Sequence, residues 1–181
     1  MTVKLTKRLL VAGLVLSTLL VGATVIVAPH YNVNDYYEIE VDGRLYIFDD
    51  LKTYQSFLVV GETAYRLTRI GAAPNGETVV FGLQEKDKKM LSGLGGVDLF
   101  DGNAEGVATG FYGEIHTGGR IYVFSEWADL VSFKAVGEAL YRFTDIGSGP
   151  KDETVVYVLN KKNKKHQPTA LMNAFKKVHD L

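Results

Sequence analysis

Polar and apolar positions alternate along this chain in a pattern that is written twice. Glu38-Ile39-Glu40-Val41 alternates, breaks at Asp42-Gly43 and resumes as Arg44-Leu45-Tyr46-Ile47-Phe48. Two alternating runs joined by Asp-Gly predict a β-hairpin, because both turn residues must accept a positive φ. In that register Val41 pairs with Arg44 and Ile39 with Tyr46. Ile39, Val41, Tyr46 and Phe48 then share one face, while Leu45 and Ile47 point to the other. Asp49 is a suitable N-cap for a helix over 50–62, with Leu51, Tyr54, Phe57 and Leu58 as its apolar stripe and Gly61 at its end. Strands over 63–70 and 78–83 follow, separated by a turn rich in Gly and Pro.

The same order returns after an offset of 76 residues. Set without a gap against Tyr112 to Lys165, the stretch from Tyr36 to Lys89 is identical at 26 of 54 positions. Gly118-Gly119 replaces Asp42-Gly43 at the turn, Ser125 takes the N-cap position, and Trp127, Leu130, Val131 and Phe133 form the second stripe. Between the copies, 91–111 is a Gly-rich linker that reads as a flexible connection. Beyond the second copy Pro168 opens an amphipathic helix carrying Leu171, Met172, Phe175, Val178 and Leu181.

The predicted fold class is therefore α+β. An N-terminal transmembrane helix is followed by a tandem repeat of two ββαββ modules, each an antiparallel sheet with one helix, and by a short C-terminal helix. The units are 1–30, 31–90, the linker 91–111, 112–166 and 167–181. This arrangement leaves Leu45, Ile47, Ile121 and Val123 on sheet faces away from the helices. An apolar face needs a cover, so these four are candidates for an inter-repeat or partner surface.

The N-terminus changes the setting. Lys4, Lys7 and Arg8 precede an uncharged run from Leu9 through Leu19 to Ala28, long enough at 1.5 Å per residue to cross about 30 Å of hydrocarbon. The basic residues before the span predict a single-pass anchor with its N-terminus in the cytoplasm and the repeats in the periplasm. The alternative is secretion after cleavage near Val21-Gly22-Ala23. The bilayer is thus an expected partner through residues 9–28.

Composition narrows the chemistry further. The 181 residues carry a net charge of −1 and contain no cysteine. That excludes disulfides and thiol catalysis, and it offers no field for nucleic acid. No nucleophile elbow, phosphate loop or dinucleotide fingerprint is present. The duplicated carboxylates Glu38/Glu114, Glu62/Glu138 and Glu77/Glu153 are possible acids but read as structural. Arg44, Arg66, Arg120 and Arg142 are candidate anion binders or salt-bridge partners, for instance Arg66 with Glu77. Asp98, Asp101, Asn103 and Glu105 have calcium-loop composition without its spacing. His30, His116, His166 and His179 are scattered, and Glu40 occupies the position equivalent to His116, so no metal site and no cofactor are expected.

The hairpin-into-helix segments, Asp42-Gly43-Arg44-Leu45-Tyr46-Ile47-Phe48 and Gly119-Arg120-Ile121-Tyr122-Val123-Phe124, resemble those of small metal-trafficking modules of the YHS type and of the nitrous-oxide-reductase copper chaperones. The resemblance covers about twenty residues of each copy and implies the ββα start alone, since the cysteines those families use are absent. The expected function is a non-catalytic, membrane-anchored extracytoplasmic binding or assembly subunit of a membrane complex. The alternative is a periplasmic carrier of a small ligand or metal that uses the cleft between the repeats.

Overall fold

The computed structural model describes residues 31–181. The span expected over 9–28 lies outside them, and among the described residues no helix is long and apolar enough to cross a membrane. Strands β1 (Asp35–Val41) and β2 (Arg44–Phe48) make the expected hairpin, with Val41 opposite Arg44 and Ile39 opposite Tyr46. Asp42 and Gly43 both have positive φ, 50° and 70°. Only a turn of that hand continues the right-handed twist of the two strands.

Helix α1 (Leu51–Val60) is capped by Asp50 rather than Asp49: the Asp50 carboxylate accepts the Thr53 N–H at 2.9 Å. Strands β3 (Tyr65–Arg69) and β4 (Thr78–Leu83) follow. After helix α2 (Gly95–Asp101), the order recurs as β5 (Tyr112–Thr117), β6 (Arg120–Phe124), α3 (Trp127–Val136), β7 (Tyr141–Asp145) and β8 (Thr154–Leu159). Helix α4 (Thr169–Val178) follows β8, with Pro168 at its N-cap as the sequence predicts.

The class is α+β, but the sheet is mixed and continuous, not a pair of antiparallel sheets. Its eight strands run β3-β4-β2-β1-β5-β6-β8-β7. Strand β4 returns parallel to β2 and inserts between β2 and β3, because α1 and β3 use up the reversal of chain direction first. Strand β8 does the same beside β6. At the centre β1 and β5 pair in parallel, with Tyr37 opposite Glu114. This seam satisfies two edges that would otherwise present unpaired backbone groups. The halves therefore join edge to edge, where sequence alone suggested face-to-face packing.

A palindromic strand order with parallel central strands puts the two halves' helices on opposite faces. One face buries Tyr37, Phe48, Tyr54, Phe57, Val123 and Phe175 beneath α1 and α4. The other buries Tyr36, Ile47, Phe81, Val97, Leu130 and Phe133 beneath α2 and α3. Each face thus takes one helix from a ββαββ unit and one from the segment after a unit.

This answers the question of the uncovered apolar positions, and the answer corrects both expectations. Leu45 and Ile47 sit in the cluster roofed by α2, whereas Ile121 and Val123 sit in the other, roofed by α4. Ile47, Ile121 and Val123 are fully buried. They face neither each other nor a partner surface. The supposedly flexible stretch 91–111 supplies one of these roofs. Its glycines serve close approach as much as turning: a Cβ on Gly95 would lie 2.0 Å from the Asn32 carbonyl oxygen. Asp49, free of the α1 cap, accepts the Gly96 N–H at 2.8 Å and pins the start of α2.

Candidate functional site

The face under α1 and α4 holds a carboxylate with unusual surroundings. Tyr112, Glu114 and His116 alternate along β5, so all three side chains leave the sheet on one side. Glu114 lies in the central pair of strands and is completely buried. Its Oε1 accepts the Tyr112 hydroxyl, and its Oε2 accepts the Tyr54 hydroxyl from α1. His116 Nε2 lies 3.0 Å from Oε2 and 2.8 Å from the Tyr54 oxygen. His179, at the C-terminal end of α4, brings its Nε2 to 3.1 Å from Oε1 and 3.0 Å from Oε2.

Local structure explains why these groups meet. Helix α1 turns Tyr54 and Phe57 inward, and Tyr54 stacks on Tyr37 with ring centroids 4.1 Å apart. Helix α4 seats Leu171, Phe175 and Val178 on the sheet, which brings the residue after its last turn over Glu114. The His179 ring lies 4.4 Å from that of Phe175. Gln55, in the middle of α1, donates to the Val178 carbonyl at 2.7 Å, tying that helix to the end of α4.

The electrostatics follow from this packing. Burial alone would raise the Glu114 carboxyl. The hydrogen bonds and charge of His116 and His179 outweigh it and hold the group down at about 2. The same burial, reinforced by the Glu114 charge, pushes the Tyr54 and Tyr112 hydroxyls well above the ordinary phenol range, so both stay protonated donors.

A groove of about 740 Å³ opens beside this cluster, at the seam between the halves. Its walls include Ile39, Phe57 and Leu58 from the first half and Arg120, Ile121 and Lys151 from the second. His116 and His179 line it, while Glu114 lies behind them. The groove therefore combines an apolar wall, mixed charge at the rim and two imidazoles at one end.

The opposite face carries a contrasting arrangement. Glu38 is the residue equivalent to Glu114 in the first half, and it accepts the Tyr36 hydroxyl at 2.6 Å. Its other partner is Lys134 of α3, with Nζ 2.6 Å from Oε2. A fixed ammonium compensates one buried glutamate, and two imidazoles surround the other.

The residues singled out from sequence lie elsewhere. Arg44, Arg66, Arg120 and Arg142 are exposed. Among the described residues none of the four forms an ion pair, Arg66 with Glu77 included, and Arg142 only donates to the Ala139 carbonyl at 3.2 Å. Asp101 of the acidic stretch holds Arg69 through both carboxylate oxygens at 2.7 Å. Reading the histidines as scattered missed the cluster, because His179 reaches Glu114 from 65 residues away. One local signal did exist. Glu114-x-His116 in a predicted strand puts both side chains on one face. Compared with known proteins, the chain matches no family model, no curated protein and no solved structure.

Proposed function

We infer that this chain is a membrane-tethered, extracytoplasmic binding protein, with no catalytic role, that takes a small ligand into the groove at the β1–β5 seam. The observation that carries this reading is the groove itself, about 740 Å³ in volume and walled by both halves of the sheet. That volume suits a drug-sized or metabolite-sized molecule, with apolar walls for affinity and a few polar groups for orientation. The 26 identities in 54 aligned positions of the two ββαββ sequences support an internal duplication. The groove then arises where the two copies diverge, with Glu40 and His116 at equivalent positions on either side of the seam.

The tether and the periplasmic location rest on the uncharged run 9–28 and on the basic residues before it. A second reading, an assembly subunit of a membrane complex, draws on a different observation. Ile70 and Ile146, at equivalent positions in the two halves, are 90% and 84% exposed. Recovery of stoichiometric partners from detergent-solubilised membranes would favour it.

The test of the ligand-binding reading uses full-length protein extracted in detergent and the fluorescent probe 1-anilinonaphthalene-8-sulfonate. Saturable binding of the probe that is weakened in Leu58→Trp, a substitution that narrows the groove at its α1 wall, is the expected result. Probe binding of equal strength in the variant would remove the groove as the site.

A further inference from the structure

We propose that Glu114, His116 and His179 form a site for one divalent transition-metal ion of the zinc class at the inner end of the groove. This deepens the ligand-binding reading and rests on it only for what meets the open side of the ion.

The first argument is geometric. One ligand atom from each of the three side chains lies within 4.8 Å of the others. Zinc takes imidazole nitrogen and carboxylate oxygen at about 2.0–2.2 Å. Two ligands about 2.1 Å from a shared ion and 3.0 Å apart subtend about 90° at it. A spreading of a few tenths of an ångström gives the tetrahedral angle at each imidazole–carboxylate pair, and the two imidazole nitrogens, within 4.8 Å of each other, close to about 3.4 Å around the ion. Both histidines present Nε2 to the same carboxylate, so no ring needs to flip to bring a lone pair inward.

The second argument is the side of the carboxylate that the imidazoles occupy. His116 Nε2 and His179 Nε2 both lie 3.0 Å from Oε2. In the tautomer protonated at Nδ1, each imidazole turns a lone pair toward an ion placed between them and the carboxylate. The hydroxyls of Tyr54 and Tyr112 remain as donors that fix the carboxylate, the supporting role that metal ligands commonly receive.

The third argument is charge. The chain has an alternative way to neutralise a glutamate in this strand position, and uses it at Glu38 with Lys134. At Glu114 no lysine or arginine takes that role among the described residues; the partners are two imidazoles and two phenols. Two nitrogens and one carboxylate oxygen suit Zn(II) or a neighbouring first-row ion, and exclude the all-oxygen preference of Ca²⁺ and Mg²⁺. Because His116 and His179 also line the groove, the remaining coordination position faces the space a ligand would occupy.

The experiment takes the full chain in detergent, stripped with chelator, and titrates it with Zn(II) alone by calorimetry and with Co(II) alone by visible absorption. One ion per chain and the intense visible bands of low-coordinate Co(II) are expected. His116→Ala and His179→Ala should each weaken binding more than 100-fold, and Tyr112→Phe by roughly 10- to 100-fold as loss of a supporting hydrogen bond does. His166→Ala, far from the site, should change nothing. Melting curves of each variant separate lost binding from lost folding, and His116→Gln provides a gentler substitution. Failure of the unmodified chain to bind either ion overturns the proposal, as does binding that survives in folded His116→Gln. If the dye still enters the groove while no ion binds, the metal assignment falls and the ligand reading stands. If the ion binds and Leu58→Trp leaves the dye untouched, the metal site stands and the groove reading falls.

Discussion

Glu38 and Glu114 occupy the same position in two matching strands that lie side by side, yet their carboxylates leave opposite faces of the sheet. The parallel β1–β5 seam and the palindromic strand order force this, since they relate the halves by a turn about the strand direction. A duplicated residue therefore meets different company on each face. Glu38 finds Lys134 of α3, and Glu114 finds Tyr54 of α1 and His179 after α4. The same sequence word thus serves two different local chemistries.

The Glu38–Lys134 pair makes a direct prediction. Lys134 Nζ lies 2.6 Å from Glu38 and stands over the rings of Tyr36 and Phe100. Truncation in Lys134→Ala leaves a nearly buried carboxylate without its cation. Loss of one partner of a fully buried pair costs about 3–5 kcal/mol, and the partial exposure of the lysine, 26%, lowers this to about 1–3 kcal/mol. The double variant Glu38→Gln with Lys134→Met removes the orphaned charge and should regain at least half of the loss. Denaturant unfolding of the three proteins checks this. A double variant as unstable as the single one would show that packing, not charge, holds the site.

Helices α2 and α4 should matter to the core as much as the helices inside the ββαββ units. Phe175 is 1% exposed over one sheet face and Leu99 is 3% exposed over the other. A surface appendage would tolerate truncation at either position, whereas a roof over Ile47 or Val123 would not. Phe175→Ala should cost about 3–5 kcal/mol and Leu99→Ala about 2–5 kcal/mol. Chemical denaturation measures both. Losses under about 1 kcal/mol would mean that these segments do not cover the faces, and would reopen the sheet to a partner.

The hairpins, their register and the inward faces of α1 were legible because each depends on residues close in sequence. Asp42-Gly43 sets the turn, the turn sets the pairing of Ile39 with Tyr46, and that pairing sets the faces. The parallel return of β4 was not legible, because period-two alternation carries no strand direction. Nor was the seam: nothing in β1 or β5 announces that one will pair with the other. The candidate site was lost for the same reason. Glu114-x-His116 was readable as a same-face pair, but Tyr54 and His179 join it only through the tertiary packing of α1 and α4. Glycine density misled in the linker, where Gly95 allows a helix to touch the Asn32 backbone.

Asp49 supplies a pH test of the α2 attachment. Burial pushes its carboxyl up from 3.8 to about 6, the Gly96 N–H bond acts against that, and the nearby charges of Asp50 and Asp87 add to it. Because the folded value lies above the unfolded one, the folded chain binds this proton more tightly. The stabilisation is fully present below about pH 3.8 and is lost as pH rises through about 6. Asp49→Asn keeps an oxygen to accept the Gly96 N–H but cannot ionise. Other titrating groups are common to both proteins and cancel in the difference. Relative to the variant, the unmodified chain should therefore lose on the order of 1–2 kcal/mol between about pH 4 and pH 7. Unfolding free energies of the two proteins across that range measure the difference. Parallel pH profiles would show that Asp49 ionises in the fold as freely as in the open chain, and that its contact with α2 carries no burial cost.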